Sequence, residues 1–134
     1  MTCVLVVDGD SSARNAIRTV LELEGFEVVV ADGGGSGLKA IETASFDAVI
    51  VDVFVPKVEG LDAIRTLHER APTVPIIAIA PQKFRDCLGP ELDFLGMASR
   101  LGAARCLYKP LMPRDLVTAV ATCVGDRGRS PRPN

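Results

Sequence analysis

Five short apolar runs punctuate the chain: Cys3–Val7, Glu27–Ala31, Ala48–Val53, Ile76–Ala80 and Arg105–Tyr108. Four of them are rich in Val and Ile, with little of the in-out alternation of a half-exposed strand. Runs of this length and branching suit strands buried on both faces, as in a parallel sheet. The stretches between them carry apolar residues three and four apart, the spacing of a helix face. Ser11 or Ser12 can cap a helix reaching about Glu24, with Ile17, Val20 and Leu21 on one face and Gly25 as its stop. Ser36–Thr43 predicts a shorter helix carrying Leu38 and Ile41. Val58–Arg70 aligns Leu61, Ile64 and Leu67 ahead of Pro72, and Pro90–Leu101 aligns Leu92, Leu95 and Leu101 ahead of Gly102. Pro113 suits a first helical position and opens a last helix through Val124.

Strand and helix thus alternate five times. That alternation predicts a doubly wound α/β fold, a five-stranded parallel sheet covered by helices on both faces. Right-handed crossovers leave 2-1-3-4-5 as the usual strand order. The functional cleft then lies at the carboxyl ends of the first and third strands.

A chain of 134 residues suffices for one such domain, here residues 1–125. Residues 126–134 hold three Arg against one Asp and no apolar side chain, so a disordered basic tail is expected, with no second domain after it. A formal net charge of -2 gives no reason to expect a nucleic-acid partner. The four cysteines, Cys3, Cys87, Cys106 and Cys123, form no Cys-x-x-Cys pair, and His68 alone could join them at a zinc ion. They read as free thiols of a reducing, cytoplasmic compartment. The N-terminus lacks the pattern of a signal peptide, and no apolar run approaches the roughly 20 residues of a membrane span.

Chemistry gathers at the strand ends. The first strand runs into Asp8, the third into Asp52, and the fifth into Lys109. The doubly wound order makes the first two ends neighbours. Two carboxylates at the lip of a sheet are costly unless they hold a cation or serve a reaction. Asp10 has a competing role as a helix cap. Asp52 lies between Ala48-Val49-Ile50-Val51 and Val53-Phe54-Val55, so no polar loop accounts for it.

Val4-Leu5-Val6-Val7-Asp8, Asp52 followed by Pro56 and Gly60, and Lys109-Pro110 together resemble the signature of response-regulator receiver domains, over about residues 2–124. The resemblance implies a flavodoxin-like three-layer sandwich and a phosphorelay role. A histidine kinase or phosphotransfer protein would donate a phosphoryl group to Asp52. Mg²⁺ would be held by Asp8, Asp52 and the backbone carbonyl of Phe54, and Lys109 would offset the phosphoryl charge. Such a domain is a phosphoacceptor, self-catalysing its phosphotransfer at most, and not an enzyme that turns over. It would act on a downstream protein target, with a homodimer as a further possibility. A cis peptide is implied between Lys109 and Pro110.

Several positions depart from the family pattern. Gly9 stands where a second metal-binding acid is usual. Ala80 stands where a Ser or Thr hydroxyl grips the phosphoryl oxygen, and Cys106 where an aromatic switch is usual. The segment from Ala80 to Lys109 is long, which predicts a longer loop or a displaced fourth helix. These departures keep a second reading open, a pseudo-receiver that docks proteins without phosphorylation. A flavodoxin-like small-molecule binder is a third, disfavoured by one Tyr and no Trp to stack on a flavin. Gly33-Gly34-Gly35-Ser36-Gly37 lacks the Lys-Ser/Thr of a phosphate loop and reads as a turn. His68 reads as a surface residue and Tyr108 as a packing one.

Overall fold

The computed structural model describes residues 2–53, 59–80 and 94–128. Its elements alternate as β1 (Cys3–Val7), α1 (Ser11–Leu23), β2 (Glu27–Ala31), α2 (Gly34–Thr43), β3 (Ala48–Asp52), α3 (Glu59–Arg70), β4 (Ile76–Ala80), α4 (Phe94–Leu101), β5 (Arg105–Tyr108) and α5 (Pro113–Gly128). All four strand pairings are parallel, and the order is β2-β1-β3-β4-β5. The doubly wound architecture and strand order expected from the sequence are both present.

The three inner strands explain their unbroken apolar runs. Successive side chains point to opposite faces, and here both faces are covered. Leu5, Val7, Val49, Val51 and Ile76 pack with Ile64 and Leu67 of α3 and Ala98 of α4. Val4, Val6, Ile50, Ile77 and Ile79 pack with Ile17 and Leu21 of α1 and Leu116 and Val120 of α5. Each fully buried Val, Leu or Ile contributes about 1.5–3 kcal/mol, so these two layers dominate the stability. The outer strands β2 and β5 are only partly covered.

Close packing governs glycines in two places. The turn at Gly33–Gly37 is shorter than the glycine run suggests, because α2 already begins at Gly34. Close packing is the reason. A Cβ at Gly37 would meet Val7 at 2.8 Å, and one at Gly34 would meet Ala63 at 3.3 Å. Tertiary contact here outweighs the poor helix propensity of glycine. Gly102 ends α4 with φ 126°, and a Cβ there would come within 2.5 Å of the His68 ring. His68 is therefore half-buried under the α4–β5 turn, not a surface residue.

The last helix continues past Val124 to Gly128, so residues 126–128 are helical and not part of a disordered tail. Propagation adds one hydrogen bond per residue fixed, and no proline intervenes before Pro131. Residues 129–134, the long-loop segment from Pro81 through Asp93, and Phe54 and Pro56 lie outside the described residues. Among the described residues, Cys3, Cys106 and Cys123 form no disulfide, and no helix is long and apolar enough to cross a membrane.

Candidate functional site

Register brings the acids together. Val7 of β1 pairs with Val51 of β3, so the next residue on each strand, Asp8 and Asp52, emerges at the same level. β5 enters through β4: Ala80 pairs with Tyr108, and the Lys109 N–H donates to the Ala80 carbonyl at 2.8 Å. Lys109 therefore leaves the sheet at the same edge. Its Nζ donates to Asp8 Oδ2 at 3.1 Å and to Asp52 Oδ2 at 2.7 Å. The three residues named from the sequence form one cluster.

Asp8 and Asp52 are 2% and 5% exposed, the only buried charged residues among those described. Buried carboxylates need paired, hydrogen-bonded surroundings, and Lys109 supplies the cation. Burial pushes the Asp8 carboxyl above the usual carboxylate range. The Asp10 N–H and Lys109 pull it back, and the charge of Asp52 adds to the rise. Burial opposes the charge on Lys109, but its hydrogen bonds and attraction to Asp52 and Asp8 prevail and raise its pKa. The cluster carries two acids and one base, a surplus of negative charge facing the sheet edge.

Asp10 is committed to the helix. Its carboxylate accepts the Ser12 N–H at 3.0 Å as the N-cap of α1, and its own N–H donates to Asp8 Oδ1 at 2.9 Å. It orients Asp8 through its backbone and caps α1 through its side chain. Arg14, which sequence reasoning missed, donates from Nη1 to the Asp8 carbonyl at 2.8 Å. Its place one turn into the helix capped by Asp10 was the available signal. Gly60 has a steric role: a Cβ there would lie 2.2 Å from the Asp52 carbonyl oxygen and 2.4 Å from Val53 Cα. The first turn of α3 touches the end of β3, and only glycine fits.

The positions that depart from the family pattern fall as follows. Gly9 is exposed beside the cluster and offers no side-chain ligand. Ala80 is fully buried. Cys106 and Tyr108 are half-buried and pack on the side of the sheet that carries α3 and α4, Tyr108 as expected. The Lys109–Pro110 peptide is cis.

The donors suit a hard divalent cation. Two carboxylate oxygens converge on a single ammonium, and Mg²⁺ takes such oxygens while keeping several waters. The described residues hold no cluster of three or more His, Cys, Asp or Glu side chains. Asp8 and Asp52 are the carboxylates that the described part of the site offers such a shell.

A family model of the response regulator receiver domain matches residues 4–121. The chain belongs to the response regulator receiver family. This receiver is 35% identical over 121 residues to the transcriptional regulatory protein CpxR of Escherichia coli, a match covering 90% of the chain and 48% of CpxR. It is 30% identical over 115 residues to the alkaline phosphatase synthesis transcriptional regulatory protein PhoP of Bacillus subtilis, covering 84% of the chain and 44% of PhoP. The receiver thus spans about half the length of these curated relatives. Its structure resembles a CheY-like receiver domain protein from Methanospirillum hungatei, with TM-score 0.84, 26% identity, and coverage of 96% of this chain and 98% of that one.

Proposed function

We propose that this receiver accepts a phosphoryl group on Asp52 from the phosphohistidine of a histidine kinase or phosphotransfer protein. The observation that carries this reading is the convergence of Asp8, Asp52 and Lys109 at one sheet edge. An Asp52 carboxylate oxygen attacks phosphorus, and the P–N bond of the donor breaks. The imidazole nitrogen leaves with the electron pair and takes up a proton, leaving an acyl phosphate on Asp52. Lys109, whose ammonium already bonds the Asp52 carboxylate, offsets the charge that gathers on the phosphoryl oxygens. Asp8, held by the Asp10 N–H, shares that ammonium. Mg²⁺ held by Asp8, Asp52 and the Phe54 carbonyl supplies further charge neutralisation when bound.

Gly9 and Ala80 weaken the site without removing its reacting groups. A missing hydrogen bond to a charged group costs about 1.5–3 kcal/mol, which slows transfer about tenfold to a hundredfold. A slow phosphoacceptor is the outcome, signalling to a protein target. The three described cysteines, in thiol form and not in disulfides, fit a reducing cytoplasm. A second reading, a docking module that works unphosphorylated, is favoured by Gly9, Ala80 and Cys106.

One experiment separates them. The protein is incubated with acetyl phosphate and Mg²⁺, and its intact mass is measured. The expected result is a phosphoryl-mass adduct that is absent in Asp52→Asn. No adduct at any Mg²⁺ concentration would establish the docking module instead.

A further inference from the structure

Asp8 is bonded at every polar atom it has. Its N–H donates to the Ala31 carbonyl at 3.1 Å, one step past the last β1–β2 pair of Val7 with Ala31. Its Oδ1 accepts the Asp10 N–H at 2.9 Å, and its Oδ2 accepts the Lys109 ammonium at 3.1 Å. Its carbonyl oxygen accepts Arg14 Nη1 at 2.8 Å. The first three bonds belong to the sheet, the turn and the charged cluster. The fourth reaches back from the side of a helix.

The peptide between Asp8 and Gly9 is where this corner could give way. The β1 ladder ends at Val7, and α1 begins only at Ser11. Gly9 is exposed and has no Cβ to narrow its backbone. A turn of that peptide plane would swing the Asp8 carbonyl and re-aim the chain that carries the Asp10 N–H. The Asp8 carboxylate would then lose the donor that orients it. Among the described residues, Arg14 is the side chain that holds this plane.

Arg14 is itself well rooted. Its N–H donates to the Asp10 carbonyl at 2.9 Å, and α1 is anchored by buried Ile17 and Leu21. Helical side chains lean toward the helix N-terminus, which lays the guanidinium over the turn before α1. The residue is half-buried and, among the described residues, has no carboxylate partner. An ion pair therefore does not account for its placement. Its charge strengthens a bond to a neutral carbonyl, and charge-assisted bonds are roughly twice as strong as neutral ones.

We infer that Arg14 is a positioning residue of the acceptor site. It locks the Asp8–Gly9 peptide, so that the Asp10 N–H stays on Asp8 Oδ1 and the carboxylate stays turned toward Lys109 and Asp52. It acts through Asp8 and touches neither the phosphoryl group nor the metal. The geometry stands by itself, whereas its consequence for metal and phosphoryl transfer rests on the phosphoacceptor reading.

Hydrogen exchange and calorimetry on the full chain test this with Arg14→Ala and Arg14→Lys. In metal-free Arg14→Ala, the Asp10 amide should exchange at least tenfold faster, while the amides of β1 and β3 keep their protection. Calorimetric titration with Mg²⁺ should show binding weakened about tenfold, the usual scale for losing a group that orients a metal ligand. The sign is diagnostic. Removing a positive charge beside two carboxylates would by Coulomb attraction alone tighten a divalent cation. Arg14→Lys keeps a donor for this single bond and should recover most of both effects. Labelling of Asp52 by acetyl phosphate at limiting Mg²⁺ should slow in parallel in Arg14→Ala. An unchanged Asp10 amide, or Mg²⁺ binding that is unchanged or tightened in Arg14→Ala, would overturn the role of Arg14 while leaving the phosphoacceptor reading intact. A wild-type protein that neither binds Mg²⁺ nor takes up phosphate would instead overturn that reading, and with it the functional part of this inference.

Discussion

Lys109 Nζ lies 2.7 Å from Asp52 Oδ2, although 57 residues separate them in the chain. Two strands, β4 and β5, intervene in the order of synthesis, yet one hydrogen-bonded sheet edge presents both groups to each other. The ammonium also bonds Asp8, so its removal uncovers two buried carboxylates at once.

Lys109→Ala should lower stability by about 3 kcal/mol at pH 7–8, since breaking a buried pair strands its charges. Urea unfolding checks this. The deficit should shrink as pH falls, because burial already raises the Asp8 carboxyl and its protonation removes one stranded charge.

In the wild type the Lys109 pKa is raised on folding. A raised folded value means its contribution is complete below its ordinary value of 10.5 and disappears as pH climbs through the folded value. Urea midpoints between neutral pH and strong alkali should fall in that window. The Lys109→Ala protein should lack that component of the fall.

Asp8→Asn should stabilise the fold by about 1 kcal/mol at neutral pH, because it removes one of two buried negative charges and leaves Lys109 paired with Asp52. The Asp8 pKa is raised on folding, so its favourable contribution is complete below 3.8 and lost as pH rises through the folded value. The advantage of Asn over Asp should therefore be largest near neutrality and vanish in acid. A variant less stable than wild type at pH 7 would contradict this.

Gly60→Ala should cost about 3 kcal/mol, at the upper end for overpacking. The added methyl would collide with the Asp52 carbonyl and Val53 Cα, which are backbone atoms that cannot swing aside. Chemical denaturation measures the loss. A neutral effect would mean that α3 starts further from β3 than described.

Asp10 and Gly9 can be separated by substitution. Asp10→Ala should cost about 1 kcal/mol through loss of the α1 cap, whereas Asp10→Ser should keep most of it. Neither should change Mg²⁺ affinity, if the Asp10 carboxylate serves only the helix. Gly9→Asp should tighten Mg²⁺ on the order of tenfold by adding a carboxylate ligand. Calorimetric titration with the metal reads all three.

Much of this architecture was legible before folding. The apolar runs gave the strands almost residue for residue, because burial on both faces leaves little freedom of composition. The cluster of Asp8, Asp52 and Lys109 followed from strand ends alone, since parallel register aligns whatever comes after the last paired residue. Contacts between elements were less visible. Gly37 against Val7, Gly34 against Ala63 and Gly102 against His68 depend on how closely two elements approach, which local periodicity does not encode. Arg14 bonds a backbone carbonyl, and any residue at position 8 would supply that oxygen. The helical residues 126–128 looked like tail because their composition is polar, while helix extension there needs only continuing backbone bonds.

The Lys109 main chain is fastened to Ala80 while its ammonium reaches Asp52 and Asp8. Its root is held to β4 and its tip is held by two carboxylates, so the charge can reach only an arc whose radius is the length of the side chain. Any incoming anion must present itself inside that arc to be neutralised. A substitution of equal charge and different span, such as Lys109→Arg, would shift the arc even if every other atom stayed in place.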